Sequence, residues 1–380
     1  VRFHHVPTLD SLRALAVALV FAWHLTSRPF EIFQSHAAAW LGVDVFFVLS
    51  GFLITCLLVD ELTLTGEIRL KKFWARRVLR IFPAYYTLLL VVVLVHGSSA
   101  VPGVLVSAAY LADIWAAHWP TTLSQYHLTH GWSLSIEEQF YVLWPPLLLV
   151  AGASRALRIC VAALVGVIGW RAVNVLALDA TADVLYNRPD VRFDAILVGC
   201  TVGVLWMRPE GRRWFERVLA PRKTVLGAAL AFLVGLWALP VPWSTGGTRV
   251  ALWLVLLPAF HWASAFVVLA LTVHARTAWT QPLRHPLLSH LGRLSYSIYL
   301  WHVPIIGWCA AAIDSRYVVD VVAIVLSLLA AEASHRFVEQ PFLKLKGRFA
   351  VKSPAARSPA VASAASTTSA ASAASAASAA

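Results

Sequence analysis

The sequence is poor in charge. Only 13% of its 380 residues are Asp, Glu, Lys or Arg, against about 25% for a soluble domain. Hydrophobic residues make up 59%. That balance excludes an ordinary water-soluble domain and points to a chain whose solvent is lipid. Cysteine is scarce too. Cys56, Cys160, Cys200 and Cys309 lie singly in apolar segments, without CxxC spacing. Such thiols read as packing residues, so neither a disulfide framework nor a metal site is expected. No internal repeat and no Gly/Pro linker divides the apolar region. Acidic residues are outnumbered 19 to 31, for a net charge of +12. The surplus sits in loops between apolar runs, as cytoplasmic loops do, so no nucleic-acid partner is expected.

What the chain has in quantity is long apolar runs and 17 Trp and 9 Tyr to mark two water interfaces. A span needs about 20 apolar residues. The candidate segments are 9–29, 38–60, 80–97, 101–118, 133–152, 156–178, 191–207, 224–240, 250–274, 291–313 and 317–335. This pattern predicts an all-α, polytopic membrane helix bundle of about ten (ten or eleven) transmembrane helices, with residues 1–346 as the membrane-embedded domain. The basic loops at 69–80, 208–223 and 276–293 and the stretch after 335 predict a multi-pass cell-membrane protein with both termini in the cytoplasm. Residues 81–117 must then cross an odd number of times, yet two candidates lie there. Either 101–118, which carries Pro102, Gly103 and Asp113, is half-inserted, or a later segment does not span. The first segment, with Asp10, Arg13 and His24, is unlike a cleavable signal peptide. Residues 347–380 read as a cytoplasmic, Ala/Ser-rich disordered tail, since they bury too little to offset ordering entropy.

Ionisable groups inside spans are functional candidates by default. Arg13 and His24 are 11 residues apart, which on a helix is three turns plus roughly 20°, so they share a face about 16 Å apart along the axis. A neutral imidazole at His24 suits a general base for a hydroxyl nucleophile; a helix-to-helix hydrogen bond is the plainer alternative. In KKFWARRVLRIFPAYY, Arg76, Arg77 and Arg80 are spaced to face one anion at the entry of a span. Guanidinium groups bind phosphate oxygens bidentately, so a polyphosphate ligand such as a coenzyme A thioester fits; positive-inside topology or contact with lipid headgroups also accounts for them. In HGWSLSIEEQFY, at most one of the neighbours Glu137 and Glu138 points into a given cleft. Asp44 either pairs with Arg13, polarises His24 or forms a structural salt bridge, while Ser50 and Gly51 beside it allow close helix approach. Arg192 and Asp194 open the seventh candidate span. The run SYSIYLWH, with Tyr296, Tyr299 and His302, either lines a groove or forms an interfacial belt. His127 and His130 have no evident third ligand, so no metal is expected there.

Taken together and in order, the Arg13–His24 pair with ten residues between, GVDVFFVLSGFLIT, FWARRVLRIFPAYY, HGWSLSIEEQFYVLWP, RFDAILVGC and GRLSYSIYLWHVPI resemble the acyltransferase 3 family over residues 8 to 342. These are integral membrane O-acyltransferases of bacterial envelope glycans and related acceptors. The resemblance implies transfer of an acyl group, usually acetyl, from a cytoplasmic acyl-CoA to a sugar hydroxyl, with acetyl-CoA or another acyl-CoA as donor substrate and no permanently bound cofactor. It puts the essential histidine on His24 and its partner arginine on Arg13. The donor arginines fall on Arg77 and Arg80, and the motif carboxylate on Glu137 or Glu138, with Tyr141 following. Some members carry an extracytoplasmic SGNH-type domain. Here only the Ala/Ser tail follows, which implies that transfer ends in the membrane domain or on a separate protein. The acceptor is a glycan, a glycolipid or a small hydroxylated molecule. A proton-coupled transporter using His24, Asp44 and Glu137 as a relay, and an inactive scaffold, are the competing readings.

Overall fold

The computed structural model describes residues 3, 5–25, 27, 39–238 and 244–349. Among these residues there is no strand; the chain is a bundle of helices. Those of eight or more residues are α1 (Pro7–His24), α2 (Gly42–Thr65), α3 (Leu70–His96), α4 (Val101–Ala108), α5 (Gly131–Leu176), α6 (Phe193–Met207), α7 (Pro209–Leu219), α8 (Arg222–Ala238), α9 (Leu257–Val273), α10 (Pro286–Ala312) and α11 (Arg316–Ala333). Proline stands in the first turn of α1, α4, α7, α9 and α10, where the missing N–H is no loss. Gly66 ends α2 in the left-handed region, φ 74°. Five helical segments are long and apolar enough to cross a membrane, or six if α7 and α8, bent by 89°, count as one.

Two observations bear on the expected segmentation. Residues 101–118 are not one span: Val101–Ala108 and Ala112–His118 have eight and seven residues, well short of the roughly 20 a crossing needs. Pro102 starts the first of these helices and Tyr110, at φ 54°, turns the chain between them. Conversely, α5 runs on for 46 residues but breaks at Gly152, whose φ of 68° and ψ of 164° are open to glycine and strained for other residues. The break falls between the candidate segments 133–152 and 156–178. Of the tail, Lys346–Phe349 form one helical turn, and residues 350–380 lie outside the described residues.

Helix pairing follows the small residues. A Cβ on Gly51 or Gly199 would overlap the carbonyl oxygen of Ile196 or Val48, so α2 and α6 touch backbone to backbone. Gly199 meets Val48 and Gly203 meets Thr55, so the two helices run parallel. Gly292 of α10 similarly abuts the backbone of Asp10 on α1. Farther along, Arg13 donates to Ser295, and His24 packs against His302. The contacts climb both chains together, which makes α1 and α10 a second parallel pair. This pair carries the groups that matter below.

Candidate active site

A cavity of about 570 Å³ opens at the end of the bundle where α1, α3 and α10 begin, within the usual range for small-molecule sites. Its basic wall is made by Arg13 of α1, Arg77 and Arg80 of α3, Arg293 of α10 and Lys346 beyond α11. The acidic side chains on it are Asp10, Glu137 and Glu339. Cations are thus in surplus. A six-residue π-helical stretch, Ser334–Glu339, presents His335 and Glu339 to the cavity together, bonded to each other at 3.3 Å. Insertions of this kind into an α-helix re-aim side chains and recur at functional sites.

The structure chooses between the neighbouring carboxylates. Glu137 lines the cavity; Glu138 is absent from its wall. Ser50 and Tyr141 both donate to Glu137 Oε1, Tyr141 at 2.7 Å, and the Arg77 guanidinium lies 4.9 Å from the centre of the Tyr141 ring. Tyr141 is one turn on from Glu137, so the SLSIEEQFY motif supplies both groups from one helix face. The arginine triplet also divides. Arg77 and Arg80 face the cavity, whereas Arg76 is turned to Glu61 at 3.2 Å and the Phe349 carbonyl at 2.9 Å.

Ser133 and Tyr299 form the part of the wall nearest the histidines, and their hydroxyls lie 2.5 Å apart. Behind them stand three rings from three helices. His24, at the end of α1, does not line the cavity; its ring centre is 4.9 Å from that of His302 on α10. His302 is in turn 5.7 Å from His130, at the start of α5, and 5.5 Å from Tyr299. Sequence reasoning set His130 aside with the metal question and left His302 among groove or belt residues. Among the described residues, no group of three or more His, Cys, Asp or Glu is arranged to hold a metal. Their proximity depends on helix pairing over 106 to 278 residues of chain, which no local spacing reveals.

Asp44 is elsewhere. Its carboxylate accepts from Arg192 at 2.8 and 3.0 Å and bonds His261 at 2.9 Å. His261 bridges on to Asp194 at 2.9 Å, and Arg171 completes the chain at 2.5 Å from Asp194. All five side chains are sealed from solvent. The Arg192 guanidinium sits 5.4 to 6.0 Å from the centres of Tyr186, Trp132, Trp253 and Trp40. Of the three alternatives for Asp44, the structure shows the salt bridge, made to Arg192 within a buried network, and neither a pairing with Arg13 nor a bond to His24. Two charges of each sign neutralise each other there, and the helix carrying Asp44 is held by its backbone contact with α6. His261 and Arg171 went unnoticed in the sequence, each a lone polar residue in an apolar run.

A family profile described as an acyltransferase domain matches residues 6–332. The chain is similar to O-acetyltransferase OatA of Staphylococcus aureus strain NCTC 8325, 30% identical over 374 residues, covering 90% of this chain and 57% of that protein. It is also similar to a protein provisionally named an O-acetyltransferase in S. aureus strain COL, 29% identical over 370 residues, with 90% and 58% covered. The chain thus spans somewhat over half the length of these curated relatives. No solved structure matches.

Proposed function

Because the chain belongs to the acyltransferase 3 family, we propose that it is a membrane O-acyltransferase that moves an acetyl group from acetyl-CoA, bound at the basic cavity, to a sugar hydroxyl of an envelope glycan. One observation carries this reading. A single unbroken helix, α1, holds Arg13 in the wall of a cation-rich cavity and a half-buried His24 against the ring of His302 three turns further on.

The donor's phosphates suit Arg77, Arg80, Arg293 and Lys346, since guanidinium and ammonium groups in cationic surplus attract phosphate oxygens. The pantetheine arm would lead the thioester past Ser133 and Tyr299. His24 Nε2 would accept the proton of the acceptor hydroxyl as its oxygen attacks the thioester carbonyl. The C–O bond forms, the C–S bond breaks, and the thiolate leaves to take up a proton. Arg13, tied to Ser295 at 3.3 Å on the cavity side, serves the donor. Glu137, carrying hydrogen bonds from Ser50 and Tyr141, holds Arg77 and Tyr141 in register with the donor.

We further propose ten crossings: α1, α2, α3, the two halves of α5, α6, α8, α9 with its preceding turns, α10 and α11, with α7 lying in the basic loop 208–223 on the cytoplasmic side. The short helices of 101–118 support leaving that candidate out, which restores the parity. The parallel pairs α1–α10 and α2–α6 agree with this count, because each joins crossings of the same direction. The basic loops then all face the cytoplasm, as do both termini. A proton relay would need Asp44 near His24 or Glu137, and its carboxylate is engaged by Arg192 and His261.

The test is transfer of labelled acetyl from acetyl-CoA into extracted glycans, lipids and small molecules, comparing wild type with His24→Ala at matched expression. Loss of a general base is expected to lower the rate by about 10²- to 10⁴-fold. The labelled fraction then identifies the acceptor class, glycolipid and small molecule included. Transfer that survives unchanged in His24→Ala would overturn the role of His24, and no transfer from any acyl-CoA would overturn the reading as a whole.

A further inference from the structure

The three clustered histidines have fixed tautomers. His24 Nδ1 lies 2.8 Å from the Val20 carbonyl, His302 Nδ1 2.7 Å from that of Tyr299, and His130 Nε2 3.1 Å from that of Leu300. A carbonyl oxygen only accepts, so each of these nitrogens carries the hydrogen. In the neutral ring the opposite nitrogen (Nε2 of His24 and His302, Nδ1 of His130) then bears a lone pair. The chain arranges this for His130 through Pro304. Lacking an N–H, Pro304 cannot bond the carbonyl four residues back, and that carbonyl belongs to Leu300. His130 takes the place of the missing donor.

Two of the three lone pairs, on His130 Nδ1 and His302 Nε2, are buried without a hydrogen-bond partner. His130 is 5% exposed and His302 is fully buried. Buried acceptors left unmet are costly, so such pairs ask for donors. Phosphates and carboxylates have only lone pairs to offer and are refused. Hydroxyls donate. We propose that His24, His130 and His302 form an acceptor-alcohol site that requires hydroxyls on neighbouring atoms, one for each lone pair, as on a sugar ring, with His302 Nε2 accepting from the hydroxyl beside the one that reacts at His24 and His130 Nδ1 from a further one. This rests on the acyl-transfer reading of His24 and adds two specificity-determining residues to it.

The test uses the full chain in lipid nanodiscs, with acetyl-CoA as donor and a methyl glycoside or its vicinal monodeoxy analogues as acceptors. His302→Leu removes the lone pair; His302→Gln restores an acceptor oxygen near Nε2. Wild type is expected to prefer the glycoside over the analogue lacking the neighbouring hydroxyl by 10-fold or more in kcat/KM. His302→Leu raises the glycoside KM at least 10-fold and flattens that preference, with the KM for acetyl-CoA unmoved, and His302→Gln recovers part of the loss. Preference retained in His302→Leu, or a parallel rise in the acetyl-CoA KM, overturns the site. If His302→Leu misfolds, the glycoside–deoxy preference of His302→Gln and of wild type still decides. Saturation-transfer NMR of the methyl glycoside gives a second readout independent of turnover. Glycoside contact that depends on His302 in a protein that transfers nothing supports the hydroxyl site and refutes transfer. Transfer without discrimination between the acceptors refutes the hydroxyl site and leaves transfer standing; water is then what satisfies the two nitrogens.

Discussion

Two ionic clusters occupy this bundle, and they are built on opposite rules. In the Asp44–Arg192–His261–Asp194–Arg171 network, every charge has a counter-charge within hydrogen-bond distance and no solvent reaches it. In the cavity, five basic residues face three acidic ones, and the arginines stay partly accessible. A buried charge must be neutralised where it sits, because desolvation costs several kcal/mol per ion. A binding site must leave charge unneutralised until the ligand arrives. On the proposed reading the surplus cations await the donor's phosphates, and the closed balance marks the network as structural.

The comparison breaks most visibly at Asp44. Replacing it with alanine leaves Arg192 buried without its carboxylate and is expected to destabilise the fold by about 3–5 kcal/mol. A sharply lower unfolding midpoint in detergent, with little folded protein recovered, is the expected outcome; a midpoint within a degree of wild type would mean the network is not holding α2, α6 and α9. At the cavity the same kind of deletion should spare the fold and cost binding. Arg77→Ala or Arg80→Ala is expected to raise the acetyl-CoA KM by roughly 10- to 100-fold, the worth of one charged hydrogen bond, with an unchanged midpoint. The effect should shrink as salt is added. Equal losses of stability at Asp44 and Arg77 would erase the distinction between the two clusters.

Asp113 is an intermediate case that sharpens it. This carboxyl, in the short helix Ala112–His118, is buried with one amide, Gln139, donating at 2.8 Å. Burial pushes it up to about 6. The folded chain therefore holds that proton more tightly than the unfolded chain does. Its contribution to stability is fully present below about pH 4 and is lost as pH rises through about 6. Asp113→Asn should remove that slope and be the more stable protein at pH 7, by roughly 1–2 kcal/mol; identical pH–stability curves for the two proteins would rule this out. Among the arginines, the smallest effect on donor binding is expected at Arg76. Its partners, Glu61 and the Phe349 carbonyl, lie outside the cavity wall, so Arg76→Ala should leave the acetyl-CoA KM within about twofold; buried Glu61 keeps the Arg69 N–H as a donor, which holds the stability cost to roughly 1–3 kcal/mol. A KM shift as large as that of Arg77→Ala would return Arg76 to the donor site.

Local spacing made part of this legible. Arg13 and His24 lie on one helix as their separation requires, and Arg77 with Arg80 share the face that reaches the cavity. Gly51 signalled close helix approach, and it does bring two backbones together, with Gly199 as its unread counterpart on α6. The sequence was silent wherever the partner lies far along the chain. Adjacent Glu137 and Glu138 have the same composition around them, and only the position of α1 and α3 decides which one meets the cavity. Asp44 had several plausible partners, and its actual ones are 148 and 217 residues away. His261 and Arg171 had no local pattern to announce them.

The sequence by itself determined that the chain lives in lipid, that it is helical, and which helices carry charge. Hydrophobic length and helical period are local properties, and the cost of burying an ion is the same wherever the residue sits. Only the tertiary structure decided which charges neutralise one another and which remain for a ligand. It also decided that Pro304 frees the carbonyl that orients His130. Those outcomes depend on which helix faces lie within a few ångströms of each other, and the packing of the whole bundle fixes that.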